Sequence, residues 1–496
     1  MKKKLLPALI VTGLIILVVI IMGITALINK YTPTKKTEDL KEYFNISSDD
    51  EAALIVDNEL SDYKAKIIDK KIYVDYKFVH DSLNSRFYWD ANENVLLYTT
   101  ASDIISAAAD SNSYSITKQT NDFGYPIVKA TSDSALIALD YVKQYSNITF
   151  KSYDDPARIV ITSKWDEIDS ATVSKSTQVR VKGGIKSPIL KEVKKDDKIT
   201  ILDSGDKWDK VATEDGVIGY IKRKALSESK KTKLTNPDYE EETFTHIKKD
   251  KDICLAWNQV TSQSANSKVP QVISSTKGIN VMSPTWFYLN DNNGNLADIA
   301  SKDYVSYCHS QGIEVWGLFS NFENTDVDAA YVLTHTSTRT TLINQIMSAA
   351  FNYELDGVNI DFENITEAAY GDSYIEFIRE LAIKCHNNGI SLSVDVTVPA
   401  SFNKFFNRSD MANFADYIVI MGYDEHYKGS DAGSVSSIPW VTEGVESTLK
   451  EVPADQIILG MPFYTRIWEL TPKEDDDAVT DTEDQSKYTV ASQVYS

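Results

Sequence analysis

From Leu5 to Ile28 the chain is one unbroken apolar run without a charged side chain, preceded by Met1-Lys-Lys-Lys4. A run of that length crosses a bilayer core of about 30 Å as a helix. A cleavable leader has a shorter apolar core and a small-residue cleavage site. No A-x-A precedes Asn29, so residues 5–28 are read as an uncleaved transmembrane anchor. The leading lysines keep residues 1–4 in the cytoplasm, against a weaker opposing pull from Lys30, Lys35 and Lys36. Everything after the anchor is then expected outside the cell, bound to the membrane only through residues 5–28.

Residues 29–41 are polar and charged, the pattern of a short stalk. Between 42 and 165 a pattern occurs twice. Ile72-Tyr-Val-Asp-Tyr-Lys-Phe-Val-His80, Phe87-Tyr-Trp-Asp90 and Val95-Leu-Leu-Tyr98 form the first copy; Leu136-Ile-Ala-Leu-Asp-Tyr-Val142, Phe150 and Ile159-Val-Ile161 form the second. Each copy predicts a strand, a short helix and a strand–turn–strand unit. Two copies make a small α+β module, since a solenoid needs more repeats to bury its faces. This stretch resembles the copper amine oxidase N-terminal-like domains of bacterial surface proteins. No copper is inferred, because the only histidine is His80 and no ligand cluster accompanies it.

From 171 to 228 the pattern is all-β. Val179-Arg-Val181, Ile199-Thr-Ile-Leu202, Trp208-Asp-Lys-Val211 and Gly219-Tyr-Ile221 are short strands, and Gly183-Gly184, Asp203-Ser-Gly205 and Glu214-Asp-Gly216 are turns between them. The spacing resembles a bacterial SH3-like barrel, which implies contact with cell-wall peptide or glycan. Trp208 and Tyr220 suit that contact, and equally suit a small barrel's core. Residues 229–251, rich in Lys, Glu and Thr, read as a solvated linker.

From 252 to 496 apolar strand patterns alternate with helical ones. Strands begin near Ile253, Ile279, Ile313, Gly357, Ile390, Tyr417 and Ile457, with helical periodicity between them at Thr341–Tyr353 and Tyr374–Asn387. Seven strand–helix units in series predict a parallel (β/α)₈ barrel, with its chemistry at the C-terminal ends of the strands. The whole is therefore multidomain: a C-terminal α/β TIM barrel, a small all-β SH3-like barrel, an N-terminal α+β repeat module and a transmembrane helix.

Composition narrows the function. The 496 residues suffice for about three folded units, and 42% hydrophobic with 25% charged residues is ordinary for globular protein. A net charge of −21 excludes nucleic acid as a partner, because phosphate needs a positive surface. A neutral glycan is compatible with it. Cys254, Cys308 and Cys385 form no CxxC pair and lie in apolar stretches, so they read as small buried hydrophobes. The six histidines show no paired spacing, and neither a metal nor another cofactor is expected.

The fourth strand of the barrel carries the chemistry. In Leu355-Asp-Gly-Val-Asn-Ile-Asp-Phe-Glu363, Val358, Ile360 and Phe362 share one face while Asn359, Asp361 and Glu363 share the other. The apolar face suits the surrounding helices, so the polar set lines the barrel interior. Polar side chains in a core stripe are costly unless they serve a site. One carboxyl above another in a confined space raises a pKa and makes a general acid near neutral pH. Glu363, nearest the mouth, is the proton donor, with Asp361 beneath it.

Asp356-Gly-Val-Asn-Ile-Asp-Phe-Glu363 is similar to the DxxDxDxE motif of glycoside hydrolase family 18. Met421-Gly-Tyr-Asp424 resembles that family's M-x-Y-D, and Gly460-Met-Pro-Phe-Tyr-Thr-Arg-Ile-Trp468 its G-x-x-x-Y-x-R-x-W. The resemblance covers roughly 252–468. It implies a retaining mechanism in which the substrate's N-acetyl oxygen attacks the anomeric carbon. Glu363 would protonate the leaving oxygen and then activate water. Asp361 would orient the acetamido group, and Tyr423 would hydrogen-bond its oxygen. Met421 and Asp424 would shape the same pocket, Tyr464 and Arg466 would line the sugar cleft, and Asn359 and Asp356 would support the strand. The implied partner is an N-acetylated glycan, either peptidoglycan or chitooligosaccharide. A non-catalytic glycan-binding protein and a purely structural surface protein remain as alternatives, and the intact Glu363 and Asp361 favour the enzyme.

The sequence departs from the motif in two places. Asn359 replaces its middle Asp, as in the spore- and wall-associated branch of the family, which removes a proton-sharing partner for Asp361. On the third strand Leu318-Phe-Ser-Asn321 stands where S-x-G-G is usual. No eighth strand is legible either: an acidic stretch, Lys473–Asp484, follows Trp468. The barrel is therefore expected to lack its last strand, as a fragment would.

Overall fold

In a computed structural model, residues 2–363, 365, 370–472 and 488–495 are described. The acidic stretch at 473–484 lies outside them. The chain divides into two compact units, one of residues 1–85 with 131–241 and one of 86–130 with 242–496.

The first unit begins with a single helix, Lys2–Tyr31. Its segment Leu9–Tyr31 has a mean hydropathy of 2.9 and its apolar side chains are exposed throughout. At 1.5 Å per residue this segment measures about 35 Å, long enough for a bilayer. Beyond it, the strands Thr149–Tyr153, Arg158–Thr162, Glu51–Val56, Glu59–Ile68, Lys71–Asp75 and Ala135–Ala138 lie side by side in that order. Lys71–Asp75 and Ala135–Ala138 each open one copy of the repeated pattern and lead directly into a short helix, Tyr76–Ser82 or Leu139–Gln144. The two pair antiparallel, Ile137 opposite Val74. A second, antiparallel sheet spans Glu167–Lys233 and closes over Val179, Ile199, Val211 and Ile221. Trp208 and Tyr220 are half-buried in it.

The structure revises three expectations here. Lys230–Lys233, read as linker, pairs as a strand with Glu167–Thr172. Further along that stretch, Phe244 packs on Phe414 and Ile247 N–H donates to Asp416, so 244–249 is fixed to the C-terminal unit. Residues 86–130, inside the stretch read as one repeat module, fold with that unit too. They form a five-stranded antiparallel meander from Phe87–Asp90 to Gln119–Asp122.

Seven parallel strands build the second unit: β1 (Leu255–Asn258), β2 (Val281–Leu289), β3 (Glu314–Ser320), β4 (Gly357–Asp361), β5 (Ser391–Thr397), β6 (Tyr417–Met421) and β7 (Ile457–Gly460). They pair strictly in chain order. Among the described residues no strand joins β7 back to β1, so the sheet is a curved, open barrel wall. Helices α1 (Thr336–Tyr353) and α2 (Gly371–His386) flank β4 in the chain and cover its outer face. Val358, Ile360 and Phe362 are buried in that cover, with Phe362 stacked on Phe377 at 5.4 Å. Each such side chain contributes about 1.5–3 kcal/mol by leaving water. The opposite parity of β4 faces the interior, as the alternation predicts.

The interior is filled in layers. At the floor Trp316 packs with Val281 and Tyr417. Gly357 is required there: a Cβ would sit 2.6 Å from the Trp316 ring. One layer up, Trp257 reaches from β1 to β7, and a Cβ on Gly460 would meet its ring at 2.8 Å.

Outside the wall, the meander locks onto α1 and α2 through buried polar groups. Asp90 accepts from Thr336 N and Oγ1, both at 2.6 Å, and Thr99 Oγ1 donates to Glu376 at 2.7 Å. Arg339 stacks over Tyr88 and pairs with Glu380 at 2.9 Å, while Arg379 bridges Glu376 and Asp410. Cys308 and Cys385 are buried, but Cys254 is exposed at the start of β1 and is no core residue.

Candidate active site

Asn359 sits at the centre of the interior, fully buried. Its Oδ1 accepts two hydrogen bonds, from Trp257 Nε1 at 3.0 Å and from Ser283 Oγ at 3.0 Å. With the oxygen so held, Nδ2 must point the other way, and it donates to Asp395 Oδ1 on β5 at 2.8 Å. Four strands thus meet on one amide.

Asp361 lies one inward position above. Its Oδ1 is shut off from solvent without a hydrogen-bond partner. Burial first, then the negative charges of Glu363 and Glu323, push its carboxyl up to about 8. Glu363, two residues further on, is exposed at the mouth. Its carboxyl is raised above the usual glutamate range by partial desolvation, then by Asp424 and Glu323. Its backbone N–H donates to Asn321 Oδ1 at 3.0 Å, which ties the loop after β4 to the end of β3. On β3 itself, Ser320 Oγ donates to Glu323 at 2.6 Å and fixes that carboxylate near both acids.

The opposite rim comes from β6 and β7. Tyr423 follows β6 with its ring edge-on to Trp257 and to Tyr464, each at 6.2 Å. Burial raises its hydroxyl pKa, helped by Asp395, Asp361 and Glu363, so it stays a neutral donor. Asp424 has a left-handed backbone, φ 60°, a costly conformation for a residue other than glycine. That turn delivers its Oδ1 to Tyr464 Oη at 2.7 Å and to Arg466 Nη2 at 2.6 Å. Met421 is buried at the end of β6, level with Gly460.

Of the expected site residues, Asp361, Glu363, Tyr423, Asp424, Tyr464 and Arg466 converge on this mouth, with Asn359 buried beneath them. Asp356 does not. It lies at the opposite end of β4, where Oδ2 accepts from Val315 N at 2.8 Å and meets His309 Nε2 at 2.8 Å. Its role is to fix how β4 enters the sheet. The sequence reading missed Trp257, Ser283, Asn321, Glu323 and Asp395. Among the described residues no three His, Cys, Asp or Glu side chains are grouped to hold a metal ion.

A raised carboxyl at an open mouth, above a second one held out of water, is arranged for proton transfer to a bound group. Residues 323–495 match the model of glycosyl hydrolases family 18. The chain is 25% identical over 194 residues to the Bacillus subtilis (strain 168) protein "Uncharacterized glycosylase YvbX", covering 36% of this chain and 55% of that one. It is 26% identical over 187 residues to the cortical fragment-lytic enzyme of the same organism, covering 36% and 43%. The chain therefore spans about half the length of these curated relatives. Among solved structures, the spore cortex-lytic enzyme SleL of Bacillus megaterium QM B1551 aligns at 18% identity with a TM-score of 0.39, covering 48% of this chain and 54% of that one.

Proposed function

We propose that the glycoside hydrolase family 18 domain at the C-terminus of this chain cleaves N-acetylated glycans of the peptidoglycan or chitin type. The observation that carries this is the vertical pair on β4, Asp361 closed off below and Glu363 open above, each raised by burial first and then by nearby acids.

In this reading Glu363 donates its proton to the glycosidic oxygen as the bond breaks. The acetamido oxygen of the sugar attacks the anomeric carbon from the other side, and the positive charge of the resulting ring lies over Asp361. Tyr423, held neutral, donates to the acetamido oxygen and keeps it aligned. Glu363, now a carboxylate, takes a proton from the water that opens the ring, and the anomeric configuration is retained. Asp424 keeps Tyr464 and Arg466 in place along the sugar cleft. The segment Leu9–Tyr31 would anchor the chain to the membrane with the residues after it outside, and the antiparallel sheet of 167–233 would contact the wall as an SH3-like module. The names of two relatives, a glycosylase and a cortical fragment-lytic enzyme, support a glycan as substrate.

The test is turnover of chitooligosaccharide and of peptidoglycan by the purified chain. Release of N-acetylated fragments with retained configuration supports the reading, and absence of both activities overturns it.

A further inference from the structure

Asp395 belongs to no motif in the sequence, yet it is buried in the barrel interior beside the reacting groups. The β4–β5 register sets Asn359 level with Ser393 and Ile360 with Val394. One step further on, Asp361 stands beside Asp395. Both face inward, on strands about 4.8 Å apart. Asp361 Oδ1 and Asp395 Oδ2 are each buried without a hydrogen-bond donor, and the other oxygen of Asp395 is taken by Asn359. Two unpaired carboxyl oxygens therefore belong to neighbouring inward positions of β4 and β5.

We infer that Asp395 is a positioning residue that shares one proton with Asp361, replacing from the fifth strand the carboxyl that Asn359 cannot supply. The inference rests on the proposed glycosidase reading and deepens it. As positive charge develops on the sugar, the O–H bond on Asp361 breaks and one forms on Asp395 Oδ2. The pair keeps a total charge of −1 throughout, and no outside proton donor is needed. The groups that act on Asp395 agree with this. Burial first, then Asp361 and Glu363 from β4, push its carboxyl well above the ordinary range, while the Asn359 hydrogen bond pulls it down. Tyr423 after β6 and Tyr374 from α2 face it as neutral hydroxyls, both raised by burial and by its charge. None of these neighbours is a cation. Two carboxyls so placed cannot both ionise readily.

The test is the pH dependence of kcat and kcat/KM for wild type, Asp395→Asn and the exchanged double variant Asn359→Asp with Asp395→Asn. In Asp395→Asn the Asp361 anion loses the partner that shares its proton. The acidic limb then moves up by about one pH unit, roughly a tenfold loss of active enzyme below it, while KM stays within about threefold. The exchanged variant returns a carboxyl to the layer and moves the limb back. An unmoved limb in Asp395→Asn, or an exchanged variant no better than the single one, overturns the inference.

A second measurement needs no turnover, so failure of the glycosidase reading leaves the inference testable. Asp395 has a folded pKa raised above its unfolded value, so its contribution to stability is lost as pH rises from about 4. The Tm of Asp395→Asn minus that of wild type must therefore grow from pH 4 to pH 8. A pH-independent difference also overturns the inference.

Discussion

The backbone N–H of Glu363 is held by the side-chain oxygen of Asn321, 3.0 Å away on the loop after β3. The acid at the mouth is thus positioned by a neighbouring strand as well as by its own. Asn321→Ala removes the acceptor and leaves that N–H to solvent. We expect kcat to fall about tenfold with a smaller change in KM, and stability to fall by about 1 kcal/mol. Steady-state kinetics and urea unfolding measure both. An unchanged kcat would show that the bond does not position Glu363.

Glu323 raises both Asp361 and Glu363. Removing a negative charge lowers the pKa of a nearby acid. In Glu323→Gln, Asp361 ionises at lower pH and Glu363 loses its proton at lower pH. Both limbs of the pH–rate profile therefore move toward acid, by about half a unit each. A shift toward alkali would contradict the electrostatic assignment.

Trp257 holds Asn359 through Nε1 and fills the barrel against Gly460. Gly460→Ala forces that ring to move, which costs about 1–3 kcal/mol as overpacking does. Because the same ring orients the central amide, kcat falls with stability. Trp257→Phe keeps most of the packing but loses the donor, and kcat falls while Tm drops less than in Gly460→Ala. Thermal unfolding and kinetics on both variants separate the two effects.

Thr99, on the meander, satisfies the fully buried Glu376 of α2. Thr99→Val removes that donor inside the C-terminal unit. We expect a loss of about 1–3 kcal/mol, the cost of an underpaired buried carboxylate. A chain begun at residue 252 lacks the meander altogether, and its Tm lies below that of the full chain. Equal stability of the two would show that residues 86–130 are dispensable to the C-terminal unit.

The strand parity of β4 was legible because a period of two separates Val358, Ile360 and Phe362 from Asn359, Asp361 and Glu363, and only one set can meet the helices. The same alternation runs through Ser391-Leu-Ser-Val-Asp-Val-Thr397, with Ser391, Ser393 and Asp395 on one face, and it marks Asp395 to anyone who looks for a second polar stripe. Trp257 gave no such signal, since β1 is short and an aromatic there fits core equally well. Asp356, at the entry of β4, supports the strand through Val315 N and His309, partners that the sequence does not name. The meander's own pattern is that of any half-buried hairpin, so nothing local says which unit its apolar face covers. Asn321 and Glu323 lie on a loop, where no periodicity exists to read.

The central claim is that Glu363 is the proton donor. Glu363→Gln keeps the shape and the backbone bond to Asn321 but cannot donate a carboxylic proton. On an N-acetylated oligosaccharide, kcat should fall by about 10²–10⁴-fold with KM within a few-fold and an unchanged fold. A variant that retains wild-type kcat would contradict the account.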